Sequence, residues 1–234
     1  MTHFFSRMRL SQNPSTEALK MLIDPENRAL AMDAHHRLIW SAFAGKAEDK
    51  RDFLWRTEEK GAFIVFSNRE PSPSPLFAPY EIKPYAPNLR VGDKLTFVLR
   101  VNATKTRPEK YAAKVNGKTR NRRVDIVMHA LKDVASGEER NAKRMSIAQE
   151  VGSHWLTAQG EKHGFAVHDC HVVDYSVQVL PDHRGVRKGQ PQFGILEMTG
   201  EIEVQDPAKL VEKLFSGFGR AKAFGCGLML VKRV

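Results

Sequence analysis

The sequence contains little cysteine and no long apolar run. Its 234 residues include only two cysteines, Cys170 and Cys226, which is too few for a disulfide-stapled fold and is typical of a reducing compartment. No segment comes near the roughly 18 apolar residues of a membrane-spanning helix. The N-terminal segment carries Arg7 and Arg9 and lacks the apolar core of a secretory signal. We therefore expect a soluble, cytoplasmic protein.

Signatures of common hydrolases and metal sites are also absent. The chain has no Gly-x-Ser-x-Gly, no His-Glu-x-x-His and no closely paired cysteines. The group His163, His168, Cys170 and His171 superficially resembles a zinc site. However, strand alternation would place His168 and Cys170 on one face and His171 on the other. We expect neither a metal nor a cofactor.

Positive charge is abundant and concentrated in one region. The 37 Lys and Arg against 27 Asp and Glu give a net charge of +10 and a pI near 9.7. Residues 100–144 hold 13 basic and 5 acidic residues, a net of +8. Such a local excess is what a polyanion-binding surface requires.

Residue patterns in the first half predict a strand at 3–10, a helix that begins at Asp24-Pro25 and ends at 44, and a hairpin of strands 52–56 and 62–67. The prolines of 70–87 predict an irregular connection, and alternation predicts a strand at 94–102. This order matches a ferredoxin-like βαββαβ unit with a degraded second helix.

The second half repeats much of this order. Residues 104–123 are basic and predict an exposed loop or hairpin at a domain junction. The pattern then predicts a helix at 142–159, strands at 165–168 and 171–180, and a basic loop at 181–190. It continues with a strand at 193–204, a helix from Asp206-Pro207 to Gly217 and a strand at 228–231. We expect an α+β protein with domains 1–103 and 104–234.

The C-terminal segment 217–227 packs four glycines and two cations into eleven residues. Glycines there allow backbone N–H groups to approach phosphates, or simply allow the turns of a long connection. Because they follow a helix and precede a strand, they do not form a dinucleotide fingerprint. A P-loop is excluded for want of Gly-Lys-Ser/Thr.

Two adjacent histidines lie within the first predicted helix. Helical geometry places His36 inside the apolar stripe and His35 about 100° away, toward the flank. An ionisable residue on an apolar face is either a hydrogen-bonded core histidine or a catalytic group with a shifted pKa. We take His36 as the first catalytic candidate and His35 as the second.

Several cations are candidates for binding phosphates or a guanine edge. In the predicted loop 181–190 a turn would bring together Arg184, Arg187 and Lys188, although a solvated hairpin tip explains them equally. The same alternatives hold for Lys105 and Arg107. Arg37, beside His36, is a further candidate.

The glycine segment resembles a known family motif. Its spacing is Gly-x-Gly-x-x-Lys-x-x-Gly-x-Gly, formed by Gly217, Gly219, Lys222, Gly225 and Gly227. This resembles the loop of the CasE type of CRISPR-associated endoribonuclease, a RAMP-superfamily protein of Cascade complexes. The helix around His36, with Trp40 and Phe43, and the strand end Arg100-Val101-Asn102 followed by Lys105 are similar as well.

The resemblance implies two tandem ferredoxin-like (RRM-like) domains with antiparallel sheets. It implies metal-independent cleavage of CRISPR precursor RNA at the base of a repeat hairpin, which leaves a 2′,3′-cyclic phosphate. His36 would transfer a proton as general base or acid, Lys222 and the glycines would lie beside the RNA, and the loop around Arg184 would contact the stem. One position departs from the family, since Asp33 stands where members often carry tyrosine, so His35, Asp33 or a tail lysine is left for the second role.

The implied partners are the repeat RNA and other Cascade subunits, with target DNA met only through the complex and no membrane contact. The alternative is a non-catalytic RNA-binding subunit of the same superfamily. A small-molecule enzyme that uses the glycine loop for a nucleotide is a third, less favoured possibility.

Overall fold

The computed structural model describes residues 3–43, 51–108, 121–179 and 192–234. Its strands are β1 (His3–Arg9), β2 (Phe53–Glu59), β3 (Ala62–Ser67), β4 (Glu81–Tyr85), β5 (Lys94–Val101), β6 (Thr104–Pro108), β7 (Asn121–Asp125), β8 (Phe165–Val179), β9 (Gln192–Val204) and β10 (Met229–Arg233). Its α-helices are α1 (Pro14–Ile23), α2 (Arg28–Trp40), α3 (Ile126–Ala130), α4 (Glu138–His163) and α5 (Pro207–Ser216).

The two main sheets share one topology. The first has the order β4-β1-β3-β2 and the second β10-β5-β9-β8, and neighbouring strands are antiparallel in both. Within each domain this is the order 4-1-3-2 of a ferredoxin-like unit. The second domain has both helices of the pattern, α4 and α5, whereas α1 and α2 together fill the first helical position of the N-terminal domain. The predicted α+β fold with two tandem ferredoxin-like domains is confirmed.

The strand β5 corrects the expected organisation of the N-terminal half. It was predicted to close the first sheet, but it pairs with β9 and β10 and is the first strand of the second domain. The first sheet is completed by β4, inside the segment predicted to be irregular. Pro84 is compatible with this strand because β4 lies at the sheet edge, where a missing N–H costs no ladder hydrogen bond. We propose that the domains join between β4 and β5 rather than at residue 103.

The helical start near Asp24 also differs from the prediction. Helix α1, which was not predicted, begins at Pro14, and the Asn13 side chain caps it by accepting a hydrogen bond from the Thr16 N–H at 2.8 Å. Thr16 is its only buried residue, so α1 has no apolar stripe that periodicity would detect. Helix α2 begins at Arg28 rather than Pro25, and Asp24 has another partner, described below.

The basic segment 104–123 contains a two-stranded ribbon in its described part. Strands β6 and β7 pair antiparallel, which confirms the hairpin alternative for those residues, while 109–120 lie outside the described residues. Strand β8 is a single 15-residue strand with two register shifts where two strands were predicted. The basic loop 181–190 lies outside the described residues.

Apolar contacts join the two domains on one side of the molecule. Leu54, Ile64 and Phe66 of the first sheet pack against Leu228 and Phe215 of the second domain. A separate small cluster joins Met32 of α2 to Ile195 and Cys226. Helix α2 therefore contacts the C-terminal glycine segment across the domain junction. Among the described helices, none is both long and apolar enough to cross a membrane.

Candidate active site

His36 lies at the domain junction with one ring edge accessible. It is partly exposed, and its ring centroid lies 6.1 Å from that of Trp40 and 6.3 Å from that of Phe53. Its Nδ1 is buried and has no hydrogen-bond partner in the described structure, which leaves Nε2 as the nitrogen that a substrate can reach. Burial and the nearby positive charge of Arg51 lower the pKa of His36, against a smaller raising effect of Asp33. The neutral imidazole is therefore favoured at neutral pH.

His35 is the histidine in the domain core, so the two histidines exchange the positions predicted for them. Only 7% of His35 is exposed, and its Nε2 lies 2.8 Å from Asp24 Oδ1. Its ring meets Trp55 and Phe63 edge-on. Burial lowers the pKa of His35, although hydrogen bonding to Asp24 opposes the shift. His35 is thus the hydrogen-bonded core histidine, enclosed away from any substrate.

The sequence predicted the buried face of this helix wrongly because α2 packs against the protein on two sides. Residues Leu38 and Ile39 face the first sheet together with His35, whereas Met32 faces the second domain. His36 is one turn from Met32 and therefore shares the side that faces the glycine segment. One apolar stripe on a helical wheel does not distinguish these two contact faces.

Three cations surround this junction. Arg51 lowers the pKa of both His36 and Lys222, and Lys213 lowers that of Lys222 further. Burial lowers the pKa of each of these three cations. The Lys222 ammonium donates a hydrogen bond to the Ser216 carbonyl oxygen, and Lys213 lies over the Phe218 ring at 5.2 Å. Arg51 and Lys213 were not predicted, because no motif surrounds either residue.

The glycine segment folds back on itself and on the end of β5. The Phe218 N–H donates to the Gly227 carbonyl at 2.9 Å, the Arg220 N–H to Asn102 at 3.0 Å and the Gly227 N–H to Arg100 at 2.7 Å. These donors are used within the protein and are not free to hold phosphate. Gly217, Gly219, Gly225 and Gly227 all have positive φ, and Gly225 packs against the Trp55 ring. The segment is a scaffold that places Lys222 near Arg51, whose charge also acts on His36.

Replacing Gly219 with alanine is expected to destabilise the tail. Its φ is +60°, and a Cβ there would lie 2.5 Å from both the Asn102 carbonyl oxygen and Val101 Cγ2. We expect urea unfolding to show that the free energy of unfolding falls by about 1–3 kcal/mol. Gly92→Ala is the control, since Gly92 has a φ of +87° but no atom within 4 Å of an added Cβ. Equal losses in the two variants would show that the close packing at Gly219 is unimportant.

Exposed cations line the ribbon of β6 and β7. Arg107 lies directly opposite Arg122, and Lys105 opposite Val124. Like charges opposite each other are unfavourable in a ribbon by themselves, so this arrangement suits an anionic ligand. Arg37 is 75% exposed and pairs with Asp33 at 2.5 Å. Arg184, Arg187 and Lys188 lie outside the described residues.

Two histidines of the group that superficially resembles a zinc site have carboxylate partners. His168 pairs with Glu203 and His171 with Asp169, both at 2.8 Å. Within the described ranges, no three His, Cys, Asp or Glu residues are grouped as metal ligands.

Known proteins resemble this chain over nearly its whole length. The CRISPR-associated endoribonuclease Cse3 of Thermus thermophilus is 28% identical over 239 residues, which cover 91% of this chain and 97% of that protein. The structure of T. thermophilus Cse3 bound to an RNA representing a pre-cleavage complex superposes with a TM-score of 0.63 and 22% identity over 99% of this chain and all of that one. The crystal structure of Cas6e from Escherichia coli K-12 superposes with a TM-score of 0.63 and 18% identity over 99% of this chain and all of that one.

The model of a protein family described as "CRISPR associated protein" matches residues 4–233. This span includes the His36 helix, β5 and the whole glycine segment. The chain therefore belongs to this CRISPR-associated family.

Proposed function

We propose that this chain is an endoribonuclease that cuts CRISPR precursor RNA at the base of a repeat hairpin, without a metal, and leaves a 2′,3′-cyclic phosphate. The observation that carries the proposal is the placement of His36, partly exposed and with a lowered pKa, beside Arg51 and Lys222 at the domain junction. The endoribonuclease name of the T. thermophilus relative supports the same activity.

His36 acts as the general base in this proposal. Its lowered pKa keeps the imidazole neutral at neutral pH, so Nε2 can accept the proton of a ribose 2′-hydroxyl. The freed 2′-oxygen then attacks the adjacent phosphorus, and the bond to the 5′-oxygen breaks. Because the nucleophile belongs to the RNA itself, no metal-activated water is needed.

The neighbouring cations stabilise the charge that develops on the phosphate. Arg51 and Lys222 are partly buried, where electrostatic interactions are stronger than in bulk water. Lys222 also fits the second catalytic role, since its lowered pKa makes its ammonium a better acid toward the leaving 5′-oxygen. His35 does not fit it, because it is buried and bound to Asp24.

The ribbon of β6 and β7 supplies phosphate contacts to the RNA stem through Lys105, Arg107, Arg122 and Arg123. An RNA duplex is recognised mainly through its shape and backbone, which suits exposed cations on a two-stranded ribbon. Arg37 and the cations of loop 181–190 extend this surface in our proposal. A chain of a solved CRISPR RNA-guided surveillance complex resembles this chain in fold, which supports a role beside other subunits.

The runner-up function is a non-catalytic RNA-binding subunit. It is favoured by Asp33, which pairs with Arg37 at the position where family members often carry tyrosine. Incubating the protein with its cognate repeat RNA in EDTA separates the two functions. We expect a single cut and a 2′,3′-cyclic phosphate end. RNA binding without cleavage, with or without added divalent metal, would establish the runner-up, and cleavage only with metal would remove the metal-independent mechanism.

The pH dependence of cleavage follows from the electrostatics of His36. A base must be deprotonated, so the rate falls as pH drops through its pKa, and that acid limb should lie below the ordinary value of about 6.5. Arg51→Met removes a nearby positive charge and should move the limb to higher pH, whereas Arg51→Lys should move it less. Single-turnover rates across pH 4.5 to 8, roughly spanning the histidine range, test this. An unchanged limb in Arg51→Met would show that Arg51 does not act on the base.

A further inference from the structure

A small cavity lies on the helix-covered side of the second sheet, away from His36. It has a volume of about 130 Å³, and its lining residues are Met128, Leu131, Arg140, Arg144, Tyr175 and Val177. At roughly 30 Å³ per water molecule, this is space for one small planar group rather than a large metabolite. The catalytic proposal above makes no use of this cavity.

Among the described residues, neither of its two arginines has an anionic partner. Arg140 and Arg144 are one turn apart on α4 and both are partly buried. Arg140 donates to the Val134 carbonyl at 2.7 Å and Arg144 to the Asn141 side chain at 3.2 Å, and neither pairs with a carboxylate of the described residues. The Nε atom of each arginine is buried and has no hydrogen-bond acceptor among the described residues. Two like charges one helical turn apart, with no carboxylate partner among the described residues, are unfavourable by themselves, which favours a ligand with negative charge and acceptor atoms at this cavity.

The remaining lining is apolar and held in place. Met128, Leu131 and Val177 provide apolar contact surface, and the Tyr175 hydroxyl donates to Asp125 at 3.2 Å. Asp125 also caps α3 by accepting from the Val127 and Met128 N–H groups. Since Asp125 is the last residue of β7, the cavity lies at the base of the basic ribbon. RNA on the ribbon therefore passes close to the cavity.

We propose that this cavity binds one unpaired nucleotide of the RNA, with its base on the apolar surface and its acceptor atoms and phosphate on Arg140 and Arg144. Unpaired bases are the usual targets of sequence-selective RNA recognition, by stacking on guanidinium or aromatic planes. The site would make the protein selective for a repeat with an unpaired base at one distance from the stem. This inference rests on the proposed function, because it requires RNA on the ribbon.

The test measures RNA affinity by fluorescence anisotropy on the full chain carrying His36→Ala, so that the RNA stays intact. We expect Arg140→Gln/Arg144→Gln to weaken binding of the cognate repeat RNA by roughly 10- to 100-fold. Lys143→Gln/Lys162→Gln is the control with equal charge loss on the same helix, and both its lysines are exposed. Arg140→Lys/Arg144→Lys keeps the charge and loses the planar groups, so it should bind less tightly than the parent protein. Circular dichroism checks that each variant is folded.

An abasic scan of the RNA then locates the nucleotide. At one unpaired position, removing the base should weaken binding to the parent protein but not to Arg140→Gln/Arg144→Gln. Equal affinity of this variant and the lysine control overturns the inference while leaving the proposed function intact. Loss of affinity without any such abasic position also overturns it, since the arginines would then be phosphate contacts alone. If the parent protein does not bind repeat RNA, the proposed function fails instead.

Discussion

Replacing His36 with alanine is expected to lower the single-turnover rate of repeat RNA cleavage by about 10²- to 10⁴-fold, the usual contribution of general acid–base catalysis. Affinity for the RNA should change little, because the neutral imidazole offers no charge to a phosphate. Stability should also change little, since the ring is partly exposed and its Nδ1 has no hydrogen-bond partner in the described structure to lose. The measurement is the cleavage rate in EDTA with enzyme in excess over labelled RNA.

His171→Ala is the matched control for His36→Ala. The His171 side chain is 69% exposed and, among the described residues, its one ion-pair partner is the neighbouring Asp169, so its loss should leave both rate and affinity unchanged. Cleavage by His36→Ala at the wild-type rate would exclude His36 as the base. A loss of RNA affinity equal to the loss of rate would indicate a binding role instead.

His35→Ala is expected to lower the free energy of unfolding by about 3–5 kcal/mol, the usual effect of removing one member of a buried pair. The substitution leaves Asp24, which is 7% exposed, without its hydrogen-bond partner. It also opens a cavity between Trp55 and Phe63, whose rings now contact the imidazole. Urea unfolding followed by tryptophan fluorescence measures the change.

Asp24→Asn is the conservative partner of this experiment. Asparagine keeps a carbonyl oxygen that can accept from the His35 Nε2–H, so it should destabilise the protein less than His35→Ala. The His35→Ala protein should still cleave RNA at low temperature, where it remains folded. A His35→Ala protein with wild-type stability but no cleavage would show that His35 is catalytic rather than structural.

Much of the fold was predictable because local patterns carry it. The hairpin of β2 and β3, the strands β5 and β9, and helix α5 with its stop at Gly217 were all predicted from alternation, helical period and turn residues. The pairing of the strands was not predictable, because alternation shows that β5 has a buried face but does not show which sheet contains it. Helix α1 was missed because it has almost no buried face.

The residues of the candidate site were likewise predictable only in part. His36 and Lys222 were identified from the sequence because the helix pattern and the spacing of the glycines are local features. That these two residues, more than 180 positions apart, both lie near Arg51 depends on the packing of α2 against the glycine segment. Arg51 shares no pattern with either, so only its position identifies it.

The sequence by itself determined the α+β class, the local concentration of positive charge and the glycine spacing that resembles the CasE type. Only the tertiary structure decided which histidine is buried, which sheet contains β5 and how the glycine segment folds. The reason is physical. Hydrophobic period and turn chemistry depend on neighbours along the chain, whereas burial, pKa and the pairing of β5 depend on contacts made by residues far apart in it.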